Sequence, residues 1–303
     1  VPICVIFNPT ARGGKARRFR QQLEVFGARA VFKPTTGPGA ATDFARAAVE
    51  EGFDTLVAAG GDGTVNEVVN GLAAAPQGLQ RARLGIIPLG TINVFAKELG
   101  LPARPAAAWE TILAGRETTI DLPYFEFEPA ASKGPPARRY FAQLAGAGLD
   151  ARAIELVSWP LKQKVGPLAY IVAGFRAFAG PQPRITVTGG GQSLTGELVL
   201  LGNGRFYGGR VPVFHRASLR DGRLDARVFP RVTWGALWRW GWTFLLRRPN
   251  TGAATPYLQA ERFTLTSEAR VPFEAEGDFA GQLPVTVGLL PRALRVIVPQ
   301  PAP

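Results

Sequence analysis

The stretch Leu56–Leu72, LVAAGGDGTVNEVVNGL, constrains this chain more than any other. It passes from an apolar run through Gly60, Gly61, Asp62 and Gly63 into a helical pattern that starts near Thr64. An apolar strand that ends in glycines and feeds a helix is a corner of a strand–helix alternating fold. The glycines can take positive φ and let another backbone or a ligand approach closely. The free N–H groups and dipole of the following helix make the corner an anion site. An aspartate there repels phosphate unless a divalent cation neutralises it or it handles a proton during transfer. The combination points to nucleotide phosphates, magnesium and phosphoryl transfer. A plain structural reading stands beside it: Asp62 or Thr64 caps the helix, with Glu67 completing a capping box.

The surrounding sequence supports such a corner. Apolar strands at Ile3–Phe7, Ala30–Phe32, Thr55–Ala59 and Leu84–Pro88 alternate with helical segments at Lys15–Phe26, Ala40–Glu51 and Thr64–Ala74. This predicts an α/β domain over residues 1–121, a parallel sheet with helices on both faces, whose ligands bind beyond the carboxyl ends of the strands. After Asp121 strand-like pieces dominate, at Tyr124–Phe127, Arg139–Leu144, Arg184–Val187, Glu197–Leu201, Leu224–Val228, Arg262–Thr266, Val271–Ala275, Val285–Leu289 and Leu294–Val298. Residues 122–303 therefore read as an all-β sandwich-like domain, with a last strand able to return to the first domain. Helical segments at Pro160–Ala179 and Val232–Arg247 interrupt it, and Ser132–Arg139, SKGPPARR, reads as a hairpin tip.

The formal net charge of +12 suits an anionic partner, whether nucleic acid, a phosphate-bearing ligand or an anionic membrane face, and suits equally an arginine-rich proteome. A nucleic-acid partner rests on charge alone and has no recognisable motif, so none is expected. No apolar run reaches the ~18–20 residues of a transmembrane helix, and the first residues carry no secretory pattern. The single cysteine, Cys4, has no intramolecular disulfide partner and suits a reducing cytoplasm.

The segment GGDGTVNEVVNGL resembles the signature of the diacylglycerol kinase catalytic domain family, which includes bacterial lipid kinases, sphingosine kinases and ceramide kinases. Three further stretches match that family in the same order: NPTARGGKARR at Asn8–Arg18, LGIIPLGTINVFAKELGLP at Leu84–Pro102, and AEGDFAGQLPVTVGLLPRALRVIVP from Ala275. GGDGT alone is shared with NAD kinases; the second and third of these stretches make the lipid kinase branch specific. ARGGKARR is not a Walker loop, because Lys15 precedes Ala16 and the spacing differs. Its basic loop, Arg12–Lys15, either approaches phosphate or starts a solvated helix.

The resemblance implies a site for Mg-ATP at Asn8, Thr35, Gly60, Gly61, Asp62, Gly63, Thr64, Asn66 and Thr91. For Thr91 a helix cap before Phe95 is the plain alternative. Asn93 fits the family's asparagine, but Val94 stands where an acid usually follows. The C-terminal acid turn supplies the proposed general base in bacterial members; here it reads Glu276-Gly277-Asp278, with the usual two acids exchanged. Asp278 takes the catalytic position with ~1.5 Å less reach, while Glu276 could compensate and Asp62 remains a rival base. Ser218, Asp221 and Arg223 resemble a turn that holds a structural magnesium, where the neighbouring Arg220 weakens cation binding. Asp150 aligns with an acid that contacts a polar headgroup, or else caps a helix. The segment Gly202–Phe214 resembles a loop lining the acceptor cavity.

The resemblance thus implies an ATP-dependent lipid kinase acting on diacylglycerol, a sphingoid base or a related lipid. It would be cytoplasmic and peripheral at the inner membrane surface, and a homodimer is compatible with the sequence. The segment Thr233–Arg248, TWGALWRWGWTFLLRR, has helical spacing and suits either docking on an anionic membrane or packing on the sandwich. The competing functions are a nucleotide-binding regulator with little catalysis and a soluble NAD- or polyol-type kinase.

Overall fold

The computed structural model describes residues 3–9, 14–21, 29–127, 138–156, 177–180, 182–235 and 255–300. Two compact units emerge. One holds Val1–Leu122, Gly208–Arg210 and Leu290–Pro303; the other holds Pro123–Tyr207 and Val211–Leu289.

In the first unit the chain runs β1 (Ile3–Phe7), α1 (Gly14–Gln21), β2 (Ala30–Pro34), α2 (Ala40–Glu50), β3 (Thr55–Gly60), α3 (Asp62–Ala74), α4 (Gly78–Arg81), β4 (Arg83–Pro88), α5 (Val94–Glu98) and α6 (Pro105–Ala114). Strands β2, β1, β3 and β4 lie side by side in that order, all parallel. The α/β character expected from the alternation is therefore present. β1 and β3 are buried along their whole length, which is why they read as unbroken apolar runs rather than as alternation.

Helices α2 and α3 pack together through small residues. Ala41, Ala45, Ala48 and Val49 form the buried face of α2; Val65, Val68, Val69, Gly71 and Leu72 form that of α3. A Cβ on Gly71 would lie 2.3 Å from the Thr42 carbonyl oxygen, so only glycine lets the helices meet at this distance. Glu67 of α3 reaches across and accepts the N–H groups of Gly39 and Ala41, both at 3.0 Å. The capping box expected within α3 is thus replaced by a cap on α2. Helix α3 also starts at Asp62, two residues earlier than its periodicity suggested, and has no side-chain cap.

The second unit contains β6 (Arg139–Tyr140), β7 (Leu144–Gly148), α7 (Leu149–Leu156), β8 (Ile185–Gly189), β9 (Gln192–Gly196), β10 (Leu198–Gly202), β11 (Phe206–Tyr207), β12 (Val211–Pro212), β13 (Leu224–Phe229), β14 (Tyr257–Ala260), β15 (Arg262–Thr266), β16 (Pro272–Ala275) and β17 (Asp278–Gln282). Two long strands carry the chain across the unit boundary: β5 (Arg116–Phe127) leaves the first unit and β18 (Val285–Val298) returns to it. There Val296 of β18 pairs with Leu84 of β4 in parallel. In the second unit the start of β18 pairs with β15, then β8 and β9 follow, all antiparallel. A further antiparallel sheet runs β14-β13-β10-β7-β16-β17. Phe263, Val187 and Val287 from one sheet and Val199, Ala147 and Phe273 from the other share one buried core, as the predicted sandwich requires.

Strand β7, LAGAG, corrects the single strand expected over Arg139–Leu144. Alanine and glycine carry little strand propensity, but the site demands them: a Cβ on Gly146 would stand 3.2 Å from Leu200 and from the Val199 carbonyl. Most of the predicted helices Pro160–Ala179 and Val232–Arg247, and most of Ser132–Arg139, lie outside the described residues.

Replacing Gly71 by alanine forces its Cβ against the Thr42 carbonyl. A loss of about 1–2 kcal/mol is expected after the helix-propensity gain, read as a lower urea midpoint at unchanged slope.

Candidate active site

The parallel register decides where the first unit's candidate residues stand. Phe7 is level with Pro34 on one side and Ala59 on the other, and Gly60 is level with Pro88. The residues that follow, Asn8, Thr35, Gly61 and Leu89, therefore emerge along one edge of the sheet. The Thr35 N–H donates to the Phe7 carbonyl at 2.8 Å, and the N–H groups of Leu89 and Gly90 both donate to the Gly60 carbonyl, at 2.9 and 3.2 Å.

At this edge two main chains approach almost without separation. A Cβ on Gly90 would fall 2.5 Å from the Gly61 Cα, and a Cβ on Gly60 would fall 2.3 Å from the Thr64 hydroxyl oxygen. Gly61 has φ −90° and ψ −173°, an extended backbone open to any residue. Its own Cβ would meet the Gly90 Cα at an ordinary 3.4 Å, so the close approach, one of the two reasons expected for these glycines, is realised at Gly60 and Gly90.

Asp62 is the first residue of α3, and its Oδ1 accepts the Phe95 N–H at 3.2 Å, so it caps α5. Burial pushes its carboxyl above the ordinary range, against the pull of the Val94, Phe95 and Asn93 amides and of Lys97. The reading in which Asp62 caps its own helix gives way to one in which it joins the loop after β3 to the helix after β4. Asn93, in left-handed backbone at φ 52°, donates from Nδ2 to the Gly90 carbonyl at 2.6 Å, while its buried Oδ1 has no partner. Asn93, not Thr91, occupies the cap position of α5, and Thr91 is exposed. Val94 is buried at the start of that helix. Asn8, Thr64 and Asn66 are half-buried, and Gly63 is exposed. Arg12 lies outside the described residues, and α1 begins at Gly14.

In the second unit the acid turn is a two-residue hairpin loop between β16 and β17. Glu276 and Gly277 both have positive φ, 55° and 81°, the handedness of a type I′ turn. Glutamate rarely adopts this backbone, and here its carboxylate is anchored. Its Oε1 accepts the N–H groups of Gln143, Ala142 and Leu144 at 2.6, 2.8 and 3.4 Å. Asp278 is exposed. The two acids of the turn therefore have different tasks, Glu276 holding main chain and Asp278 facing solvent.

Asp150, in the first turn of α7, is half-buried and its Oδ2 accepts the Tyr207 hydroxyl in a short hydrogen bond. Nearby stands Glu274, which sequence reasoning did not single out. It is 2% exposed, and its Oε2 accepts the Gly277 N–H at 2.9 Å. Burial first, then the charge of Asp150, pushes its carboxyl far above the usual range. Its spacing of two from Glu276 suggests a shared strand face, but nothing in the sequence marks it as buried, since all four residues of β16 are.

Ser218, Asp221 and Arg223 are exposed and come together in a turn where the Asp221 Oδ1 accepts the Arg223 N–H at 3.0 Å. Beneath it the fully buried Asp225 accepts the Tyr257 hydroxyl and the Gln259 amide, and burial pushes its carboxyl up to about 6. Among the described residues no three His, Cys, Asp or Glu side chains converge as a metal cage.

Residues 2–124 match the family model described as the diacylglycerol kinase catalytic domain, and residues 143–298 match the YegS C-terminal NAD kinase beta sandwich-like domain. A diacylglycerol kinase of Staphylococcus carnosus (strain TM300) is 29% identical, over 98% of this chain and 94% of that protein. One of Staphylococcus aureus (strain MRSA252) is 30% identical, over 97% and 91%. A crystal structure of a diacylglycerol kinase from Bacillus anthracis str. Sterne superposes with TM-score 0.76 at 24% identity, over 99% of this chain and 97% of that one. Yeast NADH kinase complexed with NADH superposes at 0.53 and 10%, over 99% and 83%. The two structural likenesses concern the fold alone.

Gly90→Ala pushes the two loops apart and is expected to cost about 1–3 kcal/mol. Gly37→Ala, where no atom lies within 4 Å of the added Cβ, is the neutral comparator in the same urea titration.

Proposed function

The chain belongs to the diacylglycerol kinase catalytic domain family, and on that premise we propose that it is an ATP-dependent lipid kinase that moves the γ-phosphoryl group of ATP to a lipid hydroxyl. The names of its relatives favour diacylglycerol as acceptor; a sphingoid base or related lipid is the second choice. The observation that carries the reading is the sheet edge where Asn8, Thr35, Gly60–Asp62 and Leu89–Thr91 emerge together, with two main chains in contact through Gly61 and Gly90. Backbone N–H groups and threonine hydroxyls there donate to phosphate oxygens without adding bulk.

Magnesium fits this edge as a companion of the nucleotide rather than as a resident of a protein cage. Asp62 offers one carboxylate beside the loop, and Mg2+ commonly keeps waters and substrate phosphates as its other ligands. Bound there, the cation would neutralise charge on the phosphate oxygens.

Asp278 is the general base in this reading. As the lipid oxygen bonds to the γ-phosphorus and the bond to ADP breaks, the carboxylate takes the hydroxyl proton. Two hydrogen-bond patterns support the choice: the Glu276 carboxylate is held by three amides and Asp62 by the Phe95 amide. Asp150, with Tyr207, would meet the polar head of the lipid. The turn at Ser218, Asp221 and Arg223 would hold a structural cation only weakly, since the carboxylate already accepts a backbone N–H and Arg220 adds positive charge.

A lipid kinase works at an interface. No helix among the described residues is long and apolar enough to cross a membrane. Trp234, 49% exposed, stands edge-on to the Phe178 ring, with centroids 4.3 Å apart. This aromatic pair supports peripheral docking on an anionic membrane by the segment that Trp234 begins. From residue 236 on, the segment Thr233–Arg248 lies outside the described residues.

Incubation with labelled ATP and a lipid panel, followed by mass identification of the labelled species, tests the reading. Phosphorylated lipid is expected, and turnover independent of lipid would favour a soluble NAD- or polyol-type kinase. Asp278→Asn should lower kcat by about 10²–10⁴-fold with little change in stability. Glu276→Gln should instead cost about 1–3 kcal/mol of stability, because it weakens charge-assisted bonds to three amides. The reverse pattern would exchange the two roles.

A further inference from the structure

The phosphoryl transfer described above leaves Glu274 unused, although it is 2% exposed. Acids are almost never this buried unless paired. The strongest charged influences on it among the described residues are acids: Asp150 on α7, Glu276 in the turn and Asp278 on β17. Tyr207 of β11 stands over Asp150 and donates to it. Helix α7, which carries Asp150, packs on β16, β7 and β17, the strands that surround Glu274. The Gly277 N–H occupies Oε2. Oε1 lies against Gly146, where a Cβ would come within 3.2 Å of it.

Two like charges at one buried place do not both persist; one group keeps its proton. Asp150 has a hydroxyl donor for its charge, and Glu274 has one main-chain N–H and no ion pair among the described residues. We propose that Asp150 and Glu274 form a one-proton carboxyl pair, in which Glu274 is the neutral partner, protonated on Oε1, and positions both the headgroup acid and the Glu276–Gly277–Asp278 turn. Its kinetic consequence rests on the lipid kinase reading. When Glu274 ionises, a new negative charge faces Asp150, Glu276 and Asp278, the turn loses its spacing from α7, and turnover falls on the alkaline side.

The sign for stability follows. The folded-state value of Glu274 lies above the ordinary glutamate value of ~4.3. Its contribution is complete below that ordinary value and is lost as pH rises through the raised one.

The test compares the full chain with Glu274→Gln and Asp150→Asn as pH is raised from below the ordinary glutamate value. In the wild type the melting temperature should decline by several degrees on the alkaline side, and infrared difference spectra should show the carbonyl stretch of a protonated acid. Glu274→Gln cannot ionise, so the share of the decline and of the band that belongs to Glu274 should vanish, leaving that of acids such as Asp225, and its ratio of high-pH to low-pH kcat should rise several-fold above wild type. Asp150→Asn removes the opposing charge, so the decline should move to lower pH. Profiles and spectra of Glu274→Gln that superimpose on wild type would overturn the proposal. A wild type that phosphorylates no lipid would overturn the kinase reading, while melting curves and spectra still decide the pair.

Discussion

The main chains at Gly61 and Gly90 lie so close that a methyl group on Gly90 has no ordinary place. This contact brings the loop after β3 onto the loop after β4. From it follow the two N–H groups directed at the Gly60 carbonyl and the reach of Asp62 to the first amides of α5. A helix start, a carboxylate and a side-chain-free surface are thus assembled at the end of a sheet whose strands are fixed by burial. The parallel register extends the same edge to Asn8 and Thr35. In physical terms the edge is main chain first, with Gly60 and Gly90 as the positions where a side chain has no room.

The second unit solves a different problem, the placing of several acids near one another. Three amides surround one oxygen of Glu276 and offset its burial. Asp278 is exposed to solvent. Glu274 has neither remedy, and desolvation raises its proton affinity. The result is a set of carboxyls a few residues apart in sequence in separate settings, one fixing the geometry of the hairpin, one exposed and one buried.

Much of this was legible before any coordinates. The burial of β1 and β3, the strand–helix alternation and the glycine corner appear directly as residue patterns, and the α/β and sandwich units follow from them. Other features were hidden. β7 is built of alanine and glycine, so its composition argued against a strand that its neighbours require. Glu67 has the spacing of a capping box but caps the helix next door. Both failures have one cause: local rules describe what a segment prefers alone, and a partner distant in sequence can change which atoms it meets.

The sequence by itself determined the order of elements, the identity of the corner and the residue types gathered there, because periodicity and glycine spacing are properties of the chain. Only the tertiary structure decided what those residues touch: that Gly90 is needed for proximity rather than for positive φ, that Asp62 caps α5, and that Glu276 is an anchor while Glu274 lies buried. Contact and desolvation depend on atoms brought together from far apart in the chain, and no local pattern records them.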